Sequence, residues 1–249
     1  MTGFQGVAPV FRREFKSYFS SPLGYVYIVI FLLASGYLTV SRDFGRFLEI
    51  RQANLDAFFA FVPWIFVVLV PAVAMRLWAE ERKTGTVELL LTLPITLEGA
   101  YVGKFLAAWS FLAFSLCLTW PVIYQVGRLG DPDWGVILTG YVGCVLAAGA
   151  FLSVGMLFSA VTKNQVVALI LGVAASTAFL LLGLPETLDY AGGALGGYTE
   201  HVLQSLSLID HFESLTRGLV ELRSLTFFTL FTVGWLAIGM LTLRETKGN

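Results

Sequence analysis

The sequence WGVILTGYVGCVLAAGAFLSVGMLFSAVT, residues Trp134–Thr162, contains no charged side chain over 29 consecutive positions. A helix needs about 20 predominantly apolar residues to cross a bilayer, and a longer run leaves room for tilt or an interfacial turn. The stretch therefore predicts a membrane helix at about residues 135–161.

Five further uncharged runs flank this stretch, and each is long enough to span a membrane: Ser17–Ser41, Ala57–Met75, Phe105–Gly127, Asn164–Pro185 and Ser224–Leu243. None alternates with the period of two that is typical of a barrel strand. Backbone groups in lipid must be satisfied internally, which favours helices. We expect an all-α membrane protein, one domain over 1–249, with six spans at about 22–41, 57–78, 100–126, 135–161, 165–184 and 224–243.

The composition supports a membrane protein and excludes other classes. Hydrophobic residues make up 57% of the chain and charged residues 13%, whereas a soluble domain has about 25% charged residues. A net charge of −1 excludes a basic nucleic-acid binder. Cys117 and Cys144 lie in apolar runs and fit neither a disulfide framework nor a metal site, so we expect no bound metal.

The distribution of cations predicts the orientation. With the N-terminus inside, the inner segments hold ten Lys and Arg residues and the outer segments six. Inner loops of membrane proteins carry the excess of cations. We therefore expect both termini in the cytoplasm.

Residues 7–19 have the pattern of an amphipathic helix. Apolar side chains recur at every fourth position, at Val7, Phe11, Phe15 and Phe19. Three cations lie largely off this stripe: Arg12, Arg13 and Lys16. We expect the helix to rest in the inner membrane interface with its cations near anionic headgroups. The alternative is a charged flank that only sets the topology.

The inner loop at 79–96 predicts a helix, a break, a short helix, a second break and a third helix. Gly85 favours the left-handed conformation that ends a helix, and Thr86 is a suitable cap for the next one. Pro94 ends that short helix, and Thr96 caps the helix that enters the membrane. A simple connection needs only a few residues, so this compact charged surface suggests a partner.

The segment Glu80-Glu81-Arg82-Lys83-Thr84-Gly85-Thr86-Val87-Glu88-Leu89-Leu90-Leu91-Thr92-Leu93-Pro94 resembles the signature of type-2 ABC transporter permeases. In that family this loop is the coupling helix, which docks on a separate ATP-binding subunit. The resemblance implies that the following residues contact the ATPase: Glu80, Glu81, Arg82, Lys83, Thr84, Gly85, Thr86, Glu88, Leu91 and Pro94.

Two other motifs are similar to the gliding-motility-associated branch of the family. They are Phe19–Tyr25 (FSSPLGY) and His211–Ser214 (HFES) followed by Arg217-Gly218. Glu221 departs from the branch, which usually has Asp there. Gliding itself does not follow, because relatives of this branch are expected in many non-gliding bacteria.

The outer segment at 185–223 is too long for a simple turn, and part of it has helical apolar spacing. It forms either a surface helix or, as the resemblance implies, re-entrant helices that seal a translocation path. The candidate outer gate residues are His211, Phe212, Glu213 and Arg217. For the polar cluster of His211, Glu213 and Arg217, gating and ordinary packing remain equal alternatives.

Catalytic motifs are missing from the sequence. Gly99–Phe105 is one residue too short for a phosphate-binding loop, and neither H-E-x-x-H nor G-x-S-x-G occurs. The six uncharged runs also contain no ionisable group that could couple transport to an ion gradient. We therefore expect no catalytic residue and no cofactor bound by this chain, with ATP and Mg²⁺ on a partner.

The sequence is thus interpreted as the permease subunit of a type-2 ABC exporter in the bacterial inner membrane. The resemblance implies two ATPase copies and a second permease copy or an auxiliary membrane subunit. The alternatives are a non-transporting ABC-type scaffold acting mechanically on envelope partners and a stand-alone carrier or channel. Neutral spans suit lipid, glycan or peptide cargo alike.

Overall fold

The computed structural model describes residues 6–41, 43–45, 53–86, 95–184, 187 and 204–245, which form helices joined by turns without any strand. The helices are α1 Val7–Ser20, α2 Pro22–Val40, α3 Asp56–Ala74, α4 Arg76–Thr84, α5 Leu97–Cys117, α6 Trp120–Leu129, α7 Trp134–Val161, α8 Gln165–Leu181, α9 Leu208–Thr216 and α10 Leu222–Glu245. The predicted all-α class is confirmed for this part of the chain.

Five described segments are long and apolar enough to cross a membrane: Pro22–Val40, Asp56–Thr84, Leu97–Leu129, Trp134–Val161 and Leu222–Glu245. They match five of the six predicted spans. The sixth was expected at 165–184, where α8 is apolar but only 17 residues long. That length is at the lower limit for a span, so α8 as a sixth crossing stays a prediction.

Two predicted spans are interrupted. The span expected at 100–126 breaks at Leu118–Thr119, between α5 and α6. Pro121 follows this break near the start of α6, where its missing N–H has no helical partner to lose. The span expected at 57–78 combines α3 with the first residues of α4, and the two helices meet at Met75.

The most buried of the spanning helices is α7, which packs against α3, α5, α8, α9 and α10. Glycines allow these close contacts: a Cβ on Gly155 would lie 2.7 Å from the Ala74 Cβ, and one on Gly140 would lie 2.4 Å from the Phe59 ring. Other small residues of α7 and α8 are buried as well, among them Gly143, Gly172 and Ser176. Small residues at such contacts are typical of membrane helix bundles.

The helix α1 packs along α5. The Tyr18 ring stacks on Phe111 with the ring centroids 4.5 Å apart. A Cβ on Gly103 would lie 2.9 Å from the Val7 carbonyl oxygen, so the two backbones are in close contact. The Ser21 hydroxyl accepts a hydrogen bond from the Leu23 N–H and starts α2.

The aromatic stripe of α1 therefore packs against α5. Phe15 and Phe19 are half-buried, and Phe19 contacts Phe111 and Phe114 of α5. The three predicted cations are exposed: Arg12, Arg13 and Lys16. A position of α1 in the lipid interface stays a prediction.

Candidate functional site at the charged end of the bundle

The first turn of α4 is capped by a side chain from another helix. The first N–H groups of a helix have no partner within it, and α4 has no side-chain cap of its own. The Ser159 hydroxyl of α7 lies 3.1 Å from the amide nitrogens of both Trp78 and Ala79. It also donates to the Met75 carbonyl at 2.9 Å. Ser159 thereby fixes the start of α4 on α7.

The far end of α4 is also held on α7. The Arg82 guanidinium donates to the carbonyl oxygen of Ala160, in the last turn of α7, where carbonyls lack helical partners. A guanidinium stays protonated in proteins, so this hydrogen bond is charge-assisted. The structure gives Arg82 a contact within the chain, and its predicted contact with an ATPase stays a prediction.

A buried lysine joins α4 to α5. The side chain of Lys104 is only 2% exposed. Its Nζ lies 2.7 Å from Glu81 Oε1 and 2.7 Å from the Leu77 carbonyl oxygen, both on α4. It also lies 4.8 Å from the centroid of the Trp78 ring, in cation–π geometry.

The helix α1 completes this arrangement. Glu14 Oε1 lies 3.7 Å from Lys104 Nζ and 2.6 Å from Arg13 Nη2, and Arg13 Nη2 lies 3.6 Å from Glu81 Oε1. We call Arg13, Glu14, Trp78, Glu81 and Lys104 the Lys104 cluster. Removing one partner of a buried ion pair leaves a costly unpaired charge, so the cluster holds α1, α4 and α5 together.

The C-terminal end of α4 is exposed, and we call residues 83–86 the tip of α4. Gly85 has a φ of 72°, so the left-handed helix end predicted from the sequence is confirmed. Lys83, Thr84 and Thr86 are exposed beside it. Glu80 is exposed as well and pairs with Arg76 at 3.4 Å.

After Thr86, the next residue that the structure describes is Ile95. The Thr96 hydroxyl accepts from the Gly99 N–H at 3.1 Å, which confirms the predicted cap of α5. Three predicted coupling residues lie outside the described residues: Glu88, Leu91 and Pro94. The short helix expected after Thr86 therefore stays a prediction.

Four residues of this site were not predicted from the sequence: Glu14, Trp78, Lys104 and Ser159. Lys104 was used only as the charge that bounds a span, and Ser159 is one of several hydroxyls in apolar helices. The sequence contains one signal for the role of Lys104: it is a lone lysine at the start of the uncharged run Phe105–Gly127, on the same predicted side of the membrane as Glu80 and Glu81. The spacing does not show which of the two carboxylates the lysine contacts.

The four candidate gate residues do not form one cluster. His211 and Phe212 are buried, whereas Glu213 and Arg217 form an exposed ion pair at 2.8 Å. Phe212 packs near Gly143 of α7. These placements favour packing for His211 and Phe212. Most of the segment 185–203, where further re-entrant helices were expected, lies outside the described residues.

The His211 ring is held between α9 and α10. Its Nε2 lies 3.2 Å from the Ser205 carbonyl oxygen and its Nδ1 lies 3.2 Å from the Ser224 hydroxyl oxygen. A carbonyl only accepts, so Nε2 carries the proton and Nδ1 accepts from Ser224. The ring also stacks on Phe227, and burial lowers the pKa of the imidazole.

One more ion pair fixes the charged end. Arg244, in the last turn of α10, pairs with Glu98 in the first turn of α5. The stretch Gly99–Phe105 lies inside α5, so it is helical rather than a phosphate-binding loop. Over the described ranges, no three His, Cys, Asp or Glu side chains are grouped to hold a metal ion.

Comparison with known proteins identifies the family. No curated protein matches the chain. Residues 8–243 match the model of the family described as ABC-2 family transporter protein. The match runs from the first turn of α1 to the last turn of α10 and includes the whole Lys104 cluster. The chain therefore belongs to the ABC-2 family of transporter proteins.

Proposed function

We propose that the chain is the permease subunit of an ATP-driven type-2 ABC exporter in the bacterial cytoplasmic membrane. Its charged end, which includes Lys83, Lys104, Lys163 and Arg244, faces the cytoplasm, in keeping with the cation bias of inner loops. Both termini then lie inside. The motifs at 19–25 and 211–218 support a place in the gliding-motility-associated branch, without implying gliding.

The observation that carries this proposal is the attachment of α4 to three helices while its tip stays exposed. Ser159 and Arg82 bind α4 to α7, and the Lys104 cluster binds it to α1 and α5. A force applied at the tip is therefore transmitted to the bundle. The tip belongs to Glu80–Pro94, the segment that resembles the coupling helix.

The mechanism follows from this attachment. Two ATPase subunits, which bind ATP and Mg²⁺, close on nucleotide binding and push on the tip of α4 and the residues after it. The central helix α7 carries the displacement to α9 and to the first turns of α10, at the other end. A path between two permease copies, or between this chain and an auxiliary membrane subunit, then alternates its opening.

The absence of charge from the apolar runs supports an external energy source. Carriers driven by ion gradients usually place ionisable residues at membrane depth. The charges of the Lys104 cluster instead lie at one end of the bundle, where they pair with one another.

The test is purification of the chain with its co-expressed neighbours, followed by reconstitution. We expect an ATPase subunit to co-purify, and we expect the chain to be inert in vesicles when it is alone. Glu88→Lys reverses charge in the coupling segment and should abolish co-purification, whereas Glu213→Lys, at the other end, should not. Retention of the ATPase by Glu88→Lys would overturn the docking role, and solute flux through the chain alone would overturn the dependence on a partner.

A further inference from the structure

The helix α6 begins where the chain has already crossed the apolar part of a membrane. The preceding helix α5 has 21 residues and is about 32 Å long, and the hydrocarbon core of a bilayer is about 30 Å thick. The core can therefore be crossed without α6. The helix α7 has 28 residues and is about 42 Å long, so it extends roughly 12 Å beyond the core.

A hydrogen bond fixes the level of α6 relative to α7. The Thr119 hydroxyl, at the break between α5 and α6, lies 2.6 Å from the Tyr141 hydroxyl of α7. Tyr141 is about 10 Å from the start of α7 at Trp134. The other end of α7 is followed by an exposed lysine, Lys163. The helix α6 therefore lies beside the part of α7 that reaches beyond the core, at the end of the bundle opposite the Lys104 cluster, which we call the outer end.

One face of α6 is packed on the protein. Val126 is fully buried, and Val122 and Ile123 pack against the hydrophobic core. Near the end of α6, a Cβ on Gly127 would lie 3.6 Å from the Trp134 ring of α7. These contacts fix the rotation of α6 about its own axis, and hence which of its side chains point away from the protein.

The opposite face carries Trp120, Tyr124 and Arg128, which we call the α6 stripe. They recur at every fourth position and so share one face of the helix. Trp120 is 60% exposed and Tyr124 is 59% exposed, and their ring centroids are 6.3 Å apart. Trp134, which is 58% exposed, adds a third ring beside Gly127. Tryptophan and tyrosine are enriched where membrane meets water, so this composition indicates a membrane interface.

Arg128 lies at the end of the α6 stripe that is farthest from the core. It is exposed and forms no ion pair with any residue that the structure describes, including Asp131 and Asp133. Asp133 instead caps α7, where its Oδ1 accepts from the Gly135 N–H at 2.8 Å. A guanidinium binds phosphate through two parallel N–H donors, so Arg128 is suited to a phosphate at this level of the membrane.

We infer that the α6 stripe binds phospholipids of the leaflet at the outer end. The rings of Trp120 and Tyr124 lie between the acyl chains and the headgroups, and the Arg128 guanidinium donates to a lipid phosphate. All phospholipids carry this phosphate, so the contact does not select a particular headgroup. The contact does not involve the ATPase, so its failure would leave the proposed transport function untouched.

The first test measures the depth of Trp120 in the full-length chain, reconstituted into phosphatidylcholine vesicles that are brominated either near the headgroup or near the ends of the acyl chains. The fluorescence difference between the unmodified chain and Trp120→Phe gives the contribution of Trp120. We expect the shallow bromine to quench this contribution at least twofold more than the deep bromine. Trp64→Phe is the matched control, because Trp64 is 45% exposed in the middle of α3 and should show the reverse order.

Two outcomes of this measurement would overturn the inference. Quenching of the Trp120 contribution by aqueous iodide but by neither brominated lipid would place the α6 stripe in water. Resistance to all three quenchers would show that protein covers the stripe. Elution of each variant as a single folded species confirms that it is intact.

The second test addresses the phosphate contact by solid-state NMR of the full-length chain in phosphatidylcholine vesicles, with isotope-labelled arginine Cζ. Phosphorus of the lipid dephases the signal of an arginine that contacts it. Arg128→Gln should remove the dephased signal of one arginine. Arg217→Gln is the matched control, since Arg217 lies at the same end but pairs with Glu213 at 2.8 Å, and it should remove signal that is not dephased. An unchanged dephased signal in Arg128→Gln would overturn the phosphate contact.

Discussion

Lys104 of α5 and Glu81 of α4 form a buried ion pair, with 2.7 Å between Nζ and Oε1, at the point where α1 also packs. The lysine carries a charge in a place where water does not reach it, and its partner lies on the helix with the exposed tip. The pair therefore makes the position of α5 depend on that of α4.

Replacing Lys104 by Met should lower the free energy of unfolding by about 2–3 kcal/mol. This is less than the ~3–5 kcal/mol for breaking a fully buried pair, because the Glu81 side chain keeps 20% exposure. The double variant Lys104→Met/Glu81→Met should recover part of the loss, since no charge is left unpaired. Equilibrium unfolding in mixed detergent measures Lys104→Met, Glu81→Met and the double variant. A double variant that loses as much as the sum of the two single variants would contradict the pairing.

Ser159→Ala removes the cap of α4 and leaves two buried amides without an acceptor. We expect a loss of about 1–3 kcal/mol in the free energy of unfolding, together with faster amide exchange at Trp78 and Ala79. The control is Ser153→Ala in the same helix, because Ser153 is equally buried and donates only to the Ala150 carbonyl. The two variants should differ clearly, and equal losses would argue against capping by Ser159.

Gly103→Ala should separate α1 from α5. The new Cβ would lie 2.9 Å from the Val7 carbonyl oxygen, and overpacking of this kind costs about 1–3 kcal/mol. Gly234→Ala in α10 places its Cβ in open space, so it should instead stabilise the helix by about 0.5–1 kcal/mol. Thermal unfolding in detergent compares the two variants, and their unfolding temperatures should shift in opposite directions. Shifts of the same sign would contradict the close contact at Gly103.

Acidification should destabilise the chain through His211. Burial holds its pKa below the ordinary value of about 6.5, and Arg223 lowers it further, while the Ser205 contact, Asp210 and Glu221 oppose the shift. The unfolded chain then binds more protons between the two pKa values, so this contribution to stability is complete above pH ~6.5 and falls as the pH drops below it. The slope is at most about 1.4 kcal/mol per pH unit.

His211→Gln removes this titration. Its stability should change less than that of the unmodified chain between pH 7 and 5, as measured by unfolding in detergent at each pH. Parallel pH profiles for the two proteins would show that His211 is not buried in its neutral form.

Local features of the fold were accessible from the sequence because they depend on neighbouring residues. Five uncharged runs correspond to helices long enough to span, and the roles of Gly85 and Thr96 as helix boundaries are confirmed. Hydropathy does not record the break between α5 and α6, because the run 105–127 is continuously uncharged. The local signal for that break is Pro121, which follows it by two residues.

Contacts between helices were less accessible. The polar cluster weighed for His211, Glu213 and Arg217 does not form, because their positions on α9 place His211 inside and the other two outside. Lys104 and Ser159 contact partners that are far away in sequence. The sequence alone does not show which of the available carboxylates and amides each of them contacts. The residues that join α4 to the bundle therefore required the structure.

The most direct test of whether α4 transmits motion to the bundle is hydrogen–deuterium exchange in the reconstituted complex with its ATPase. The exchange is measured at the end opposite the Lys104 cluster. Trapping nucleotide with vanadate should change the exchange of residues 216–221 in the unmodified complex and in Lys163→Gln, an exposed lysine at the same end as the cluster. In Lys104→Met the ATPase should stay bound but that change should disappear. A full nucleotide response in Lys104→Met would contradict the transmission of motion through α4.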